Sequence, residues 1–535
     1  MFTGARVVDG TGAPWFRADV AVSAGRIAAV GSLPEARLAR AARRIDASGL
    51  FLAPGFIDLL GQSEYNVLVD PRAASKITQG ITTEVTGEGD SIAPNDERMF
   101  RSAEPTWKRY GVRADFFTLA DYFARFAKSP PTINLGTLVG SGSLRELVIG
   151  GENRRATPAE LVRMCGEVEK AMKDGALGLS SSLQYVPDIY NSTDEIVAMA
   201  RAAARHGGVY FIHQRSEGNA IDASLDEVFR IAREARIPTN VWHLKTAYKR
   251  HWGHMPVVLA RLEAARAEGL DVAANAYPWT AASNPLSSCL PPWMREGGTE
   301  KLLSRLKDPA LRAKAKADMA TDADDWDNQY YGSGGPSRIL VSTVLTPTLK
   351  PLEGRTVEEI AAEEKKDPRD ALMDVVLADG GRSDCIFFCM DEGDVRAALA
   401  HRLVSFCTDS GASATDGIFS EEKSHPRGWA STARIFATYV RDEKVLPLEE
   451  AVRKMTSFAA ARAGLRDRGL LKEGFPADLV AFDLGKVRAV STYADPLHYS
   501  EGFPYVAVNG ALVVDGGRIT AERPGRALLG PGAAR

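Results

Sequence analysis

Short apolar runs alternate with longer amphipathic segments through the middle of the chain. Each run is too short for a helix and is bounded by glycine, proline or polar residues, which is typical of a buried parallel strand. Eight such runs occur, at residues 56–60, 81–86, 133–139, 176–180, 209–213, 239–243, 270–275 and 403–409. Strands that alternate with helices predict an α/β fold, and eight of them predict a (β/α)8 TIM barrel.

The segments between the runs carry helix signals. Residues 157–160 combine a capping threonine, a proline in the first turn and a glutamate three residues after the cap. Apolar residues then repeat at helical spacing through residues 161–172. Ser192 and Glu195 give a second helix the same kind of start.

The two ends of the chain differ from the middle. Residues 1–54 and 468–535 contain short β-like segments separated by glycines, and neither end is large enough to bury its own core. They are predicted to pair as one small β-sandwich beside a barrel domain of residues 55–467. The segment at about 284–384 loses the alternation of strand and helix, so we interpret it as an insertion near the barrel mouth.

Composition excludes several classes of protein. The 535 residues carry 66 basic and 69 acidic side chains, a net charge of −3, which disfavours binding to nucleic acid or to an anionic membrane. No run of about eighteen apolar residues is present, so no membrane span is predicted. The chain starts without a basic-then-apolar leader, as a cytoplasmic protein or a trimmed exported one would. The five cysteines form no disulfide framework. These features favour a cytoplasmic enzyme that acts on a small molecule.

Two neighbouring strands each end in a histidine. The first follows a double glycine and ends at His213, and the second follows Pro238 and ends at His243. Because the carboxyl ends of parallel barrel strands meet at the active face, the two imidazoles are expected to lie close together there. A single histidine at such a place is more often a hydrogen-bonded core residue, so the pair leaves a metal site and a packed core both open.

Motifs along the chain resemble one family. They are Pro54-Gly55-Phe56-Ile57-Asp58, Gln79-Gly80-Ile81-Thr82-Thr83-Glu84-Val85-Thr86-Gly87, Gly178-Leu179-Ser180, His213-Gln214-Arg215-Ser216-Glu217-Gly218, His243-Leu244-Lys245, Tyr277-Pro278-Trp279-Thr280-Ala281 and His425-Pro426-Arg427. In order and number they are similar to those of the N-acyl-D-amino-acid deacylases (D-aminoacylases) of the amidohydrolase superfamily, over nearly the whole chain.

The resemblance implies a zinc centre at the barrel mouth. It places His213 and His243 as ligands of a zinc ion that supplies hydroxide for attack on an amide carbonyl. It makes Asp409 the general base, which then passes the proton to the leaving amine. Asp416, in an Asp-Gly pair, is a rival for that role. We prefer Asp409 because it directly follows an apolar strand.

The resemblance also implies residues that bind the substrate carboxylate: Lys245, Tyr277, Arg427, Ser283 and Tyr185. Lys245 stands two residues beyond His243, so on a strand both side chains would face the same way. Arg427 can pair with a carboxylate through two parallel hydrogen bonds. Ion pairs that only hold loops together are the alternative role for Lys245 and Arg427.

Four positions depart from the family's metal-binding pattern. Leu60 and Gln62 stand where the family has a His-x-His pair, Gly89 stands in the place of its cysteine, and Ser141 in the place of a histidine. Leucine cannot bind zinc and glutamine is a weak ligand, so a single zinc ion is expected.

An anionic third ligand is then needed beside the two histidines. Glu88 is the predicted one, because it adjoins the missing cysteine and a carboxylate reaches further than a thiolate. Glu64 and Cys407 are weaker candidates.

Three functions follow from these observations. The leading one is a zinc-dependent hydrolase of a C–N amide bond that deacylates an N-acyl (D-)amino acid. The second keeps the chemistry but changes the substrate to a peptide, a lactam or another amide, since loops at the strand ends shape the pocket. The third is a barrel that binds an acylated small molecule without hydrolysing it, which would hold if the four departures have removed the metal.

Overall fold

Eight parallel strands form the centre of the fold in the computed structural model, which describes residues 1–323 and 325–533. In chain order they are Phe56–Asp58, Ile81–Thr86, Asn134–Thr137 continued by Val139–Gly140, Gly178–Ser182, Val209–His213, Thr239–Val241, Val272–Ala276 and Val404–Phe406, named here barrel strands 1 to 8. Neighbours in the chain pair in parallel, and a bridge between Gly61 and Ser410 joins the ends of strands 1 and 8. The predicted (β/α)8 barrel is confirmed.

Helices lie between and after the barrel strands. They are Asn66–Val69, Ala74–Ile77, Glu97–Ser102, Glu104–Tyr110, Leu119–Lys128, Ser141–Val148, Pro158–Asp174, Thr193–Ala204, Ile221–Ala235, Met255–Ala267, Glu392–Ala400, Arg427–Arg434, Leu448–Met455 and Ser457–Arg462, with a π-helix at Ile435–Asp442. The helix expected after Thr157 begins with a capping box, in which the amides and side chains of Thr157 and Glu160 bond reciprocally. Among the described residues no helix has both the length and the apolar character needed to cross a bilayer.

Strands from both chain ends share one sheet of nine strands. Its members are Phe2–Val7, Phe16–Ser23, Arg26–Gly31, Ile45–Asp46, Phe51–Pro54, Leu479–Phe482, Tyr505–Val508, Ala511–Asp515 and Arg518–Ile519, and the helix Glu35–Leu38 follows the third of them. The ends join where Phe51–Pro54 pairs antiparallel with Leu479–Phe482. Buried residues of this sheet, including Val20 and Leu52, form a hydrophobic cluster separate from the barrel core. The domain limits of 1–54 with 468–535, and of 55–467, stay predictions.

A large insertion separates barrel strands 7 and 8. It contains a three-stranded antiparallel sheet of Ala282–Pro285, Asp384–Phe387 and Ile339–Thr343. Its helices are Pro292–Arg295, Thr299–Arg305, Pro309–Met319, Gln329–Gly332, Val357–Glu364 and Pro368–Ala378. Several of its residues form part of the wall of a cavity at the barrel mouth.

A buried lysine ties together the two strands that close the barrel. Lys76 Nζ lies 3.0 Å from Asp58 Oδ2 and 2.6 Å from Glu84 Oε1, and all three side chains are fully buried. The same ammonium donates hydrogen bonds to Thr408 Oγ1 and to the Ser410 carbonyl, each at 2.7 Å. Lys76 therefore links barrel strands 1 and 2 to the segment that follows strand 8.

Replacing this lysine is expected to destabilise the fold strongly. Lys76→Met leaves Asp58 and Glu84 as buried carboxylates without their cation, and breaking a buried ion pair in this way costs about 3–5 kcal/mol. Chemical denaturation measures the change in the free energy of unfolding. Lys108→Met is the matched control, because Lys108 and Glu104 form an exposed pair that should contribute less than about 1 kcal/mol. A loss at Lys76 no larger than the loss at Lys108 would contradict the anchoring role.

Candidate active site

A cavity of about 380 Å³ lies at the carboxyl ends of the barrel strands. All nine residues that the sequence assigns to the site lie on its wall: Glu88, Tyr185, His213, His243, Lys245, Tyr277, Ser283, Asp409 and Arg427. They come from strand ends and loops spread over more than half of the chain. The tertiary structure therefore brings these nine side chains together in one cavity.

Glu88, His213 and His243 converge on one point of this cavity. Glu88 Oε1 lies 3.0 Å from His213 Nδ1 and 3.0 Å from His243 Nε2. The three ligand atoms lie within 4.8 Å of one another. Atoms bound tetrahedrally to zinc at about 2.0–2.1 Å are about 3.3 Å apart. With a small outward movement these three side chains would hold one zinc ion.

Two glycines present Glu88 to the histidines. Gly87 and Gly89 have φ angles of +90° and +65°, which residues with a side chain disfavour. A Cβ on Gly89 would also lie 2.4 Å from Ser182 Cβ. Burial would raise the pKa of the Glu88 carboxyl, but hydrogen bonds with the two imidazoles hold it well below its usual range. The carboxylate is therefore anionic at neutral pH, as a zinc ligand must be.

Gln184 fixes the orientation of His213. His213 Nε2 donates a hydrogen bond to Gln184 Oε1 at 2.6 Å, and Gln184 Nε2 donates to Asp327 Oδ2 at 2.8 Å. With Nε2 donating to Gln184, Nδ1 is the nitrogen that faces Glu88, and a metal bound there would replace the proton that Nδ1 shares with the carboxylate. Because Asp327 belongs to the insertion, the insertion supports the ligand geometry as well as the cavity wall.

Glu217 holds His243 and Lys245 together. Glu217 Oε1 lies 3.0 Å from His243 Nδ1 and pairs with the Lys245 ammonium. A proton shared between His243 Nδ1 and Glu217 leaves Nε2 for a metal. Burial acts to lower the pKa of His243, but the carboxylates of Glu217 and Asp409 outweigh it and raise that pKa to about 9. A metal ion must therefore displace a proton from this imidazole.

Lys245 and His243 lie close together as the sequence predicts, but they do not lie on a strand. Barrel strand 6 ends at Val241, before either residue. His243 has a φ of +33°, in the left-handed region. The two side chains meet, with 2.7 Å between Lys245 Nζ and His243 Nδ1, because the chain turns and not because a strand alternates.

Asp409 lies in the same cavity, just beyond barrel strand 8. Its backbone has a φ of +51°, and its amide donates to the Leu60 carbonyl at 2.8 Å. Arg427 Nη1 lies 2.6 Å from Asp409 Oδ2. Burial raises the pKa of the Asp409 carboxyl, against the opposing charge of Arg427. The carboxylate is therefore held by its ion pair with Arg427, and it remains a stronger base than an exposed aspartate.

Gln62 links Asp409 to Glu88, one of the three candidate metal ligands. Gln62 Nε2 donates to Glu88 Oε2 and to Asp409 Oδ1, each at 3.0 Å. A side chain that the sequence marks only as a departure from the family thus bridges the two carboxylates.

Aromatic and cationic side chains form the remaining wall. The Arg427 guanidinium lies 4.9 Å from the centre of the Tyr277 ring, and Arg427 Nη2 donates to the Ser283 carbonyl at 3.2 Å. The Tyr185 ring packs 4.8 Å from the His213 ring, centre to centre, and its hydroxyl accepts from Asn284. Within the described part of the chain, the buried Tyr277 hydroxyl has no hydrogen-bond partner.

The rival residues lie elsewhere. Asp416 is exposed and pairs with Arg72 at 2.7 Å. Neither Glu64 nor Cys407 joins a group of metal-ligand atoms in the portion of the chain that the structure describes. The geometry therefore favours Asp409 over Asp416 and Glu88 over the other two.

Sequence reasoning assigned no role to Glu217, Gln184 or Asp327. Glu217 lies inside the motif of residues 213–218 and was a detectable candidate. Gln184 and Asp327 are 143 positions apart, and no motif or spacing connects them.

Comparison with known proteins gives full-length similarities. A D-aminoacylase from Alcaligenes xylosoxydans xylosoxydans is 34% identical over 538 residues, which cover 99% of this chain and 97% of the relative. A D-aminoacylase structure, solved in a study of its binuclear metal centre, has a TM-score of 0.81 at 33% identity and covers 99% of each chain. The N-acyl-D-glutamate deacylase of Bordetella bronchiseptica, solved with zinc and a phosphonate inhibitor, has a TM-score of 0.81 at 31% identity over 99% of this chain and 98% of that one.

A family model gives the same assignment independently. The model described as the amidohydrolase family matches residues 43–514. This range includes the whole barrel, the insertion and part of the terminal sheet. The chain belongs to the amidohydrolase family.

Proposed function

We propose that the protein is a zinc-dependent hydrolase that removes the acyl group from N-acyl-D-amino acids. The observation that carries this proposal is the convergence of Glu88, His213 and His243 with the buried carboxylate of Asp409 in one cavity. The similarity to full-length relatives that are D-amino-acid deacylases supports the substrate class.

One zinc ion held by Glu88, His213 and His243 is proposed. When bound, the ion supplies a Lewis acid that lowers the pKa of water to about 7 and polarises an amide carbonyl. The amide nitrogen of Gln62 lies 3.0 Å from both Glu88 and Asp409. Because a hydrogen-bond donor between these carboxylates disfavours a second cation there, this contact supports a single ion.

Asp409 is the proton carrier. Hydrolysis adds the oxygen of water to the acyl carbon and breaks the C–N bond, so one proton must move from water to the leaving nitrogen. Asp409 accepts that proton and then donates it to the amine. The raised pKa of this buried carboxyl lets it hold the proton briefly. Gln62 and Arg427 keep the carboxylate in place meanwhile.

Arg427 and Tyr277 are proposed to bind the α-carboxylate of the substrate. Within the described residues, Arg427 Nε and the Tyr277 hydroxyl are buried donors without a partner. A carboxylate between them would accept both hydrogen bonds and satisfy them. Lys245 faces the same tyrosine ring at 5.6 Å, and its charge favours an anion there.

A stereochemical panel tests this function. N-acetyl-D-amino acids should be hydrolysed with a kcat/KM at least about 10²-fold above that of their L-isomers and of dipeptides. The expected direction follows the full-length relatives, which are named as a D-aminoacylase and an N-acyl-D-glutamate deacylase. A site that fixes the carboxylate at Arg427 and the amide beside Glu88, His213 and His243 discriminates between mirror images. Zinc-depleted protein assayed in parallel is the control. A preference for peptides or for L-isomers would contradict the proposal.

A further inference from the structure

Of the described residues, three lysine or arginine side chains line the cavity, and two of them form ion pairs. Lys245 pairs with Glu217, and Arg427 pairs with Asp409. The third is Arg295. Among the described residues, its guanidinium has no carboxylate within 4.0 Å and no hydrogen-bond partner, and its Nε is buried.

The fold directs Arg295 into the cavity from the insertion. Arg295 ends the short helix Pro292–Arg295, which follows directly after Pro291. Thr299 and Leu302 of the next helix line the same wall. Burial lowers the pKa of the guanidinium, with the phenols of nearby tyrosines opposing it. An arginine nevertheless remains charged at neutral pH.

Arg295 is half-buried, and a partly desolvated cation without a counter-charge favours a ligand that supplies one. The acidic residue Asp90 on the same cavity wall does not supply it. Asp90 lies beside Gly142 and Asp188, and no ion pair joins it to Arg295 in the described chain. The planar guanidinium instead suits a carboxylate, which accepts two parallel hydrogen bonds from it.

We propose that Arg295 binds a second carboxylate of the substrate, in addition to the α-carboxylate. This inference rests on the proposed function. The preferred substrates are then N-acyl-D-amino acids that carry a carboxylate in the side chain, or whose acyl group ends in one. The shared chemistry is a dianion whose two carboxylates are bound by Arg427 and Arg295.

Substrate pairs that differ by one charge test the proposal. We expect N-acetyl-D-glutamate or N-acetyl-D-aspartate to exceed N-acetyl-D-glutamine and N-acetyl-D-leucine by about 10²-fold in kcat/KM. N-succinyl-D-leucine against N-acetyl-D-leucine distinguishes an acyl carboxylate from a side-chain one. If the dianionic substrate is preferred in neither of these two comparisons, the proposal is wrong.

Variants then assign the preference to Arg295. Arg295→Met should abolish the advantage of the dianion through a higher KM, while kcat/KM for N-acetyl-D-leucine and the zinc content stay within about threefold of the wild type. Arg295→Lys should restore part of the advantage. Lys301→Met, an exposed cation of the same insertion that is not on the cavity wall, should leave the preference unchanged. An equal loss on all substrates in Arg295→Met would mean that the residue only supports the fold.

Binding measurements test the role of Arg295 independently of the proposed hydrolytic function. If the wild type hydrolyses no N-acyl-D-amino acid, the proposed function fails. The role of Arg295 can still be tested by calorimetry with N-acetyl-D-glutamate and N-acetyl-D-glutamine. The proteins compared are Asp409→Asn and the double variant that also carries Arg295→Met. Tighter binding of the glutamate that is lost with Arg295→Met supports it, and equal binding of both compounds rejects it.

Discussion

Asp409→Asn should lower kcat by about 10²- to 10⁴-fold, the usual contribution of a general acid–base group, while zinc remains bound. The amide keeps the size of the side chain and can still accept from Gln62, but it cannot take a proton from water. The Glu88, His213 and His243 side chains are untouched, so metal content should not change. Steady-state kinetics and elemental analysis on the same preparation measure the two quantities.

Asp416→Asn is the matched control for this substitution. Asp416 is exposed and paired with Arg72, so its variant should keep kcat within about twofold of the wild type. In the wild type, kcat should fall as the pH falls, because burial raises the pKa of Asp409 and the protonated form is no base. Activity of Asp409→Asn within a few-fold of the wild type would exclude Asp409 as the proton carrier.

Glu88→Gln should remove zinc and, with it, the activity. The substitution replaces the anionic ligand of the group by a neutral amide. Loss of a partner that only orients a ligand already costs 10–100-fold in metal affinity, so loss of a ligand should cost at least about 100-fold. Titration with zinc, followed by calorimetry, should reach one ion per chain in the wild type and show weak binding in the variant.

Glu64→Gln is the control for the loss of a carboxyl near the site. Burial raises the pKa of Glu64 to about 8, so this side chain is mostly protonated at neutral pH and the amide resembles it. Its zinc content should equal that of the wild type. Full zinc occupancy in Glu88→Gln would show that Glu88 is not a ligand, and a plateau at two ions in the wild type would contradict the single-ion centre.

Much of the fold was predictable because its signals are local. A barrel strand is buried on both faces, so it needs a continuous apolar run, and helix starts such as Thr157 to Glu160 carry their own caps. The two histidines were predictable as neighbours because the barrel places the ends of consecutive strands side by side. Glu88 was predictable because the ends of the first three strands lack the metal ligands that the family has there. The two imidazoles therefore needed an anionic ligand, and Glu88 adjoins the position of the missing cysteine.

The supporting contacts were not predictable in this way. His213 is oriented by Gln184 and in turn by Asp327, and Gln62 reaches Asp409 across 347 positions of sequence. Arg295 looked like one of many charged residues in an irregular segment. Its significance comes only from the structure, in which no described carboxylate or hydrogen-bond acceptor pairs with its guanidinium.

The sequence by itself thus determined the barrel, the family and the residue types of the proposed zinc centre. The tertiary structure decided which protons those residues hold, which charges are already neutralised and which cation still lacks a counter-charge. The physical reason is that apolar periodicity and helix caps act between near neighbours in the chain. The charge and protonation of a buried group depend instead on every atom that packs against it, and folding brings those atoms from distant positions.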